Sequence, residues 1–291
     1  QLRQILDRVC EMAERKRAAN EERPDGEKYA ELLRVRLGTR LLSYLPQRVT
    51  PELTEILADF RRRALQAGVR QFVIQTHVES PMEITPETRE AVRRLLSAGW
   101  IVTNQLVFTT AASRRGHTAR LRQVLNDIGI LPYYTFTVKG YMENNFNFAT
   151  NARAVQEQLE EKVFGTLPEE FHERVRGFAD DPKNMVENMY FLRQDASLPF
   201  LATDRNVLNL PGVGKSLTFR VIGITRYGRR ILAFDHDITR EHSPIIHTMG
   251  KVIIIESKSI SEYLQQLEDI GENAEEYMDI YGYSIGERLQ S

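Results

Sequence analysis

Residues 50–77 read TPELTEILADFRRRALQAGVRQFVIQTH, and this stretch decides the fold. Thr50 suits an N-cap. Pro51 suits the first helical position, where a missing N–H costs nothing, and Glu52 puts acid in the first turn. The spacing predicts a helix to about Ala67, stopped at Gly68. Gln71–Thr76 then reads as a buried strand that ends at His77. The same grammar recurs downstream. Thr85-Pro86-Glu87 starts a helix through Ala98, Gly99 ends it, and Ile101–Thr109 is the next strand. His117–Ile128 is a further helix, closed by Gly129 and followed by a strand at Ile130–Phe136. Strands and helices in strict alternation, with the strands apolar throughout, predict a parallel sheet or barrel with helices outside. Such folds place chemistry at the carboxyl ends of the strands. Here those ends carry Arg40, His77, Gln105 or Thr109, and Lys139.

Outward from this core, residues 2–19 carry apolar side chains at a helical period. Leu32–Arg40 reads as a strand and Leu41–Leu45 as a loop. Residues 151–195 are helical, charged and broken by Pro168 and Pro182, an inserted excursion. Strands at Ser216–Thr225, Arg230–Asp235 and Lys251–Glu256 and an acidic helix over 259–277 follow. The expected organisation is a barrel part over 1–150, a helical insertion over 151–199 and a β-rich C-terminal section over 200–291.

A net charge of −1 gives no global field to draw in nucleic acid or a membrane surface, and neither is expected as a partner. No apolar run has the length of a membrane span and no secretory signal opens the chain. One cysteine, Cys10, leaves no disulfide framework and fits a reducing cytosol, so a cytoplasmic location is expected. One cysteine also cannot ligate a zinc or iron–sulfur site, and the histidines show no H-x-x-x-H or HExxH spacing; no metal site is assigned to these residues. The chain opens on Gln1 rather than Met and is expected to continue upstream.

The segment Leu208-Asn209-Leu210-Pro211-Gly212-Val213-Gly214-Lys215-Ser216 puts a lysine after a glycine-rich turn. Such a lysine can hold phosphate beside backbone N–H groups, or form a Schiff base with an aldehyde such as pyridoxal phosphate. A phosphate-binding loop wants its first glycine five residues before Gly214, where Asn209 stands, and Pro211 removes an N–H from the cradle. Taken alone, the motif reads most simply as a tight turn with a solvated lysine.

Several blocks in order carry a resemblance. They are Leu37-Gly38-Thr39-Arg40, Leu45-Pro46-Gln47-Arg48-Val49-Thr50-Pro51-Glu52-Leu53, Gln75-Thr76-His77 through Glu87, Ala98-Gly99-Trp100, Asn104-Gln105-Leu106-Val107, Leu131-Pro132-Tyr133-Tyr134 and the lysine turn. Together they resemble the later part of the lysine 2,3-aminomutase family of radical S-adenosylmethionine (SAM) enzymes, over roughly residues 30–140 and 200–225. The resemblance implies the later strands of a partial parallel β/α barrel. It also implies a [4Fe–4S] cluster that cleaves SAM, and pyridoxal phosphate on a lysine while an amino group migrates from C2 to C3. Lys215 matches the Schiff-base lysine, and His77, Gln105 and Arg40 fall on the SAM side. Lysine-specific members hold the substrate's distal ammonium with two aspartates; the matching positions here are Lys139 and Asn209. That exchange resembles the glutamate 2,3-aminomutase branch, so an acidic amino acid, glutamate first, is the expected small-molecule substrate. The C-x-x-x-C-x-x-C motif is absent, and the cluster ligands are expected upstream of Gln1. The implied enzyme is an isomerase, and a homo-oligomer is possible.

Plainer roles stay open for each residue. Lys139 can be a surface lysine, Asn209 a turn starter, His77 a rim histidine and Arg40 half of a structural ion pair. Gln105, polar in an apolar strand, needs either a cofactor atom or a neighbouring backbone group. Ser113–His117 reads as a solubilising loop. The rival functions are a barrel remnant that binds pyridoxal phosphate or a nucleoside without turnover, and a P-loop-like phosphate binder.

Overall fold

The computed structural model describes residues 1–138, 146–202, 205–210, 214–216, 219–234, 252–283 and 287–288. The chain is α/β and divides into two compact units. The first comprises 1–105, 122–132 and 167–203; the second comprises 106–121, 133–166 and 204–291.

In the first unit α1 (Leu2–Glu21) precedes β1 (Arg34–Gly38), and a short α2 (Leu41–Tyr44) stands where the sequence suggested a loop. α3 (Pro51–Gln66) leads to β2 (Gln71–Thr76), and α4 (Pro86–Ser97) to β3 (Ile101–Val107). Both long helices start as their sequences predict: Thr50 Oγ1 accepts from Leu53 N at 3.3 Å, and Thr85 Oγ1 accepts from Thr88 N at 3.2 Å. β1, β2 and β3 pair in parallel, with Gly38 opposite Gln75, and Gln75 opposite Thr103.

Alternation along β2 sorts its two faces. Phe72 and Ile74 are buried on the helix side. There Phe60, Phe72 and Trp100 form an aromatic cluster with centroids 5.5–6.0 Å apart. Trp100 is fully buried, and its indole Nε1 donates to the Leu57 carbonyl at 3.1 Å, so its one polar atom is satisfied. Gln71, Val73 and Gln75 take the opposite face.

The unit also receives α5 residues from Arg122 onward, where α5 spans His117–Asp127, and α7 (His172–Gly177) and α8 (Met185–Asp195). Gly99 and Gly129 close α4 and α5 at φ of +81° and +85°.

In the second unit β4 (Ile130–Val138), from residue 133 on, pairs in parallel with β5 (Arg205–Leu210), which pairs antiparallel with β6 (Gly214–Ser216). β5 was not expected from the sequence. A separate antiparallel sheet holds β7 (Phe219–Ile224), β8 (Arg230–Phe234), β9 (Val252–Ile255) and β10 (Glu287–Arg288), in the order β10-β7-β8-β9. α6 (Asn151–Glu160) and α9 (Ile260–Asp269) pack into one core with Phe108, Tyr263, Tyr277 and Ile280. The helix expected over 259–277 stops at Asp269. Gly271 at φ +87° turns the chain, which continues as a 3₁₀ helix over Ala274–Tyr283. No helix among the described residues is long and apolar enough to cross a membrane.

The two cap glycines differ in surroundings, and that yields a prediction. A Cβ on Gly129 would lie 2.7 Å from Cδ1 of the buried Leu96 and 3.2 Å from Cγ2 of Val186. The nearest atoms a Cβ on Gly99 would meet belong to the flexible Arg61 side chain, at 2.6 Å and beyond, which can swing away. Both alanine variants carry the left-handed penalty of about 1–2 kcal/mol. Gly129→Ala adds overpacking and should lose about 1–3 kcal/mol more in urea unfolding. Equal losses for the two variants would contradict this packing.

Candidate active site at the ends of the parallel strands

β1, β2 and β3 deliver Arg40, His77 and Gln105 to one end of the first unit's sheet. The turn after β1 is tied to β2: Thr39 N donates to the Gln75 carbonyl at 2.9 Å. Thr39 Oγ1 in turn accepts from Leu41 N at 3.1 Å, which starts α2. Ser43, on α2, donates through Oγ to the His77 carbonyl at 2.9 Å. Beyond His77 the backbone is gripped by Asn104 on β3. Its Oδ1 accepts from Val78 N at 2.7 Å and its Nδ2 donates to Val78 O at 3.0 Å, all buried. A capping box follows, in which Glu83 Oε1 accepts from Glu79 N at 2.9 Å and Ser80 N at 2.8 Å.

His77 is thus a half-buried imidazole on a fixed backbone. Burial is the main cause that holds its pKa below the ordinary value of 6.5, the positive charge of Arg40 pushes the same way, and a hydrogen bond with the Gln105 side chain opposes both. Gln105 finds a side-chain partner, where the strand pattern suggested a cofactor atom or a backbone group. Arg40 is exposed, with its guanidinium carbon 4.6 Å from the centroid of the Tyr44 ring. A neutral imidazole, an amide and a guanidinium at the carboxyl ends of parallel strands can bind the polar edge and anionic groups of a small ligand. A cavity of about 300 Å³ beside β1 is lined mainly by leucines, among them Leu37, Leu42, Leu57 and Leu95, and reaches Arg36, Gly38 and Thr39.

In the second unit the β5–β6 register sets Asn209 opposite Lys215, and the β4–β5 register sets Val138 opposite Asn209. Lys139, the next residue after Val138, lies outside the described residues, as do Pro211–Val213 of the glycine-rich turn. Lys215 therefore lies on a short antiparallel strand. Among the described residues no group of three or more His, Cys, Asp or Glu side chains could hold a metal ion. Cys10 is buried in α1.

The chain is 34% identical over 254 residues to an uncharacterized KamA family protein of Methanocaldococcus jannaschii, across 86% of this chain and 34% of that protein. Its homologues are KamA family proteins and lysine and glutamate 2,3-aminomutases. Identity to the glutamate 2,3-aminomutase of Clostridioides difficile is 38% over 106 residues, covering 36% of this chain and 23% of that enzyme. Identity to the L-lysine 2,3-aminomutase of Acetoanaerobium sticklandii is 30% over 105 residues, covering 35% and 23%. The chain thus spans about a third of the KamA protein's length and about a quarter of each aminomutase. No protein-family model matches it. The α/β architecture, with a β-rich C-terminal section, fits the barrel part that the sequence resemblance implied.

Ser43 and Asn104 position His77, and neither stood out in the sequence. The available signal was Asn104 itself, a second polar residue beside Gln105 in an apolar strand.

The opposed influences on His77 are separable. Its imidazole should titrate below 6.5 by NMR. Arg40→Gln should move the midpoint up and Gln105→Leu should move it further down. Because the folded pKa is depressed, the contribution of His77 to stability is full above the unfolded value and is lost as pH falls through the folded one. Midpoints that moved together in the two variants would refute the arrangement.

Proposed function

We propose that this chain is part of a radical SAM, pyridoxal-phosphate-dependent 2,3-aminomutase acting on an acidic amino acid, with glutamate preferred. The observation that carries the reading is the row in which Asn209 stands opposite Lys215, in a chain homologous to lysine and glutamate 2,3-aminomutases. In this reading the Lys215 amine holds pyridoxal phosphate. Bound there, the cofactor supplies the delocalisation that lets an amino group move between adjacent carbons. The ammonium of Lys139 and the amide of Asn209 bind the substrate's side-chain carboxylate, a charge-assisted contact that an ammonium-bearing substrate would turn into repulsion. His77 stays neutral near pH 7 and, with Gln105 and Arg40, binds SAM on the first unit's strand ends.

A [4Fe–4S] cluster requires a set of thiolates, and the one cysteine of this sequence, buried in a helix, does not fit it. The cluster ligands in this proposal come from polypeptide beyond these residues. The rival P-loop reading wants a helix opening directly after its lysine. β6 runs to Ser216 and β7 begins at Phe219, so a strand follows instead.

Two measurements test the proposal. Borohydride reduction with pyridoxal phosphate should label Lys215, and Lys215→Ala should abolish the adduct; an undiminished adduct would sink the cofactor role. In the holoenzyme, Lys139→Asp should cut kcat/KM for glutamate by roughly tenfold to a hundredfold and raise it for lysine. Equal loss on both substrates would remove the specificity claim.

A further inference from the structure

The front of the β1–β2 pair holds a buried donor that no described residue accepts from. Gln75 is 5% exposed, and its Nε2 has no hydrogen-bond partner among the described residues. Buried polar groups are nearly always paired, so an unpaired amide at a strand end needs an explanation.

Another row of the same two strands shows how such a position is filled. Arg34 stands opposite Gln71, and its Nε donates to Gln71 Oε1 at 2.6 Å. In the row of Gln75 the cross-strand residue is Gly38, which offers no side chain, and a Cβ built there meets nothing within 4 Å among the described residues. On the other flank stands Thr103, whose hydroxyl lies 3.5 Å from the Ile74 carbonyl. Strand alternation puts Arg36 on the face of Gly38, and Arg40 follows the end of the strand. Both arginines are exposed, and the charge of Arg40 is felt at His77. The space that the described residues leave open beside Gly38 thus adjoins an unpaired amide N–H, on a face that strand alternation shares with Arg36, and Arg40 stands two residues on.

We propose that this gap is a carboxylate subsite: Gln75 Nε2–H donates to one carboxylate oxygen while Arg36 and Arg40 supply the positive field. The inference rests on the aminomutase reading, in which the nucleoside cofactor and the amino acid substrate each bring a carboxylate. Filling the gap with either one satisfies the orphaned donor.

Calorimetric titration of the purified protein with S-adenosylhomocysteine, 5′-methylthioadenosine and glutamate separates the two sources. The variants are Gln75→Leu and Gly38→Val. Gln75→Leu replaces an unpaired buried amide by an apolar group of similar size, so its melting temperature should not fall. Gly38→Val fills open space without a left-handed backbone, and carries the test if Gln75→Leu proves unstable. Both variants should weaken one carboxylate-bearing probe by about tenfold to a hundredfold and leave 5′-methylthioadenosine, which has no carboxylate, unchanged. Loss of S-adenosylhomocysteine assigns the subsite to the cofactor, and loss of glutamate assigns it to the substrate. Unchanged binding of every probe, or equal loss of 5′-methylthioadenosine, overturns the subsite alone. A wild-type protein that binds none of the probes overturns the aminomutase reading, and the subsite with it.

Discussion

The parallel register of β1, β2 and β3 is the constraint on which the first unit's chemistry depends. It fixes Gly38, Gln75 and Thr103 as one row and, two residues on, sends Arg40, His77 and Gln105 to the same end. Because side chains alternate, a slip of one residue would turn Gln75 into the aromatic core and bring Ile74 or Thr76 to the front. What prevents the slip lies on the other face. Phe72 packs edge-on against both Phe60 and Trp100, and Ile74 is buried on the same face of the strand. Exposing such large apolar side chains would each cost about 1.5–3 kcal/mol. The apolar back of the sheet thus holds the polar front in place.

The second unit reaches order by a different route. Arg230 and Glu256, with side chains each 3% exposed, form a two-pronged ion pair at 2.6 and 2.8 Å. Glu256 also accepts from Asn151 N at 3.3 Å, so β8, the segment after β9 and the start of α6 meet at one carboxylate. Around Tyr263 and Tyr277 a second network runs through Ser113, Arg153, Glu161 and Arg115. Buried ion pairs add little net stability over well-packed apolar groups, but removing one partner leaves a buried charge. These networks therefore act more to choose one arrangement of the segments than to deepen the fold.

The legible parts of the sequence were those governed by local rules. Thr50-Pro51-Glu52 and Thr85-Pro86-Glu87 marked helix starts because N-capping needs only neighbouring residues, and Gly99 and Gly129 marked ends because only glycine adopts their backbone without strain. β5 was not legible. Arg205–Leu210 shows no clean apolar alternation, and its strand identity comes from pairing with β4, more than sixty residues away. Ser113-Arg114-Arg115 was misread for the same reason. Its composition is that of a solvated loop, yet Ser113 is fully buried against Tyr263, 150 residues on. At the candidate site, strand ends gave the addresses of Arg40, His77 and Gln105, but not the bond between the last two.

Gln75 shows why the site's chemistry is harder to read than its location. On sequence it is one polar residue near the end of an apolar strand, like Asn104 and Gln105. The three differ only in what stands opposite. Asn104 meets the backbone of Val78 and is fully used in holding it. Gln105 meets His77 and restrains a shift that burial would otherwise enlarge. Gln75 meets glycine, and among the described residues its N–H is left over. Positioning, tuning and binding thus fall to the same kind of side chain. The division among them is set by the register and by one missing Cβ, neither of which is a property of the residue itself.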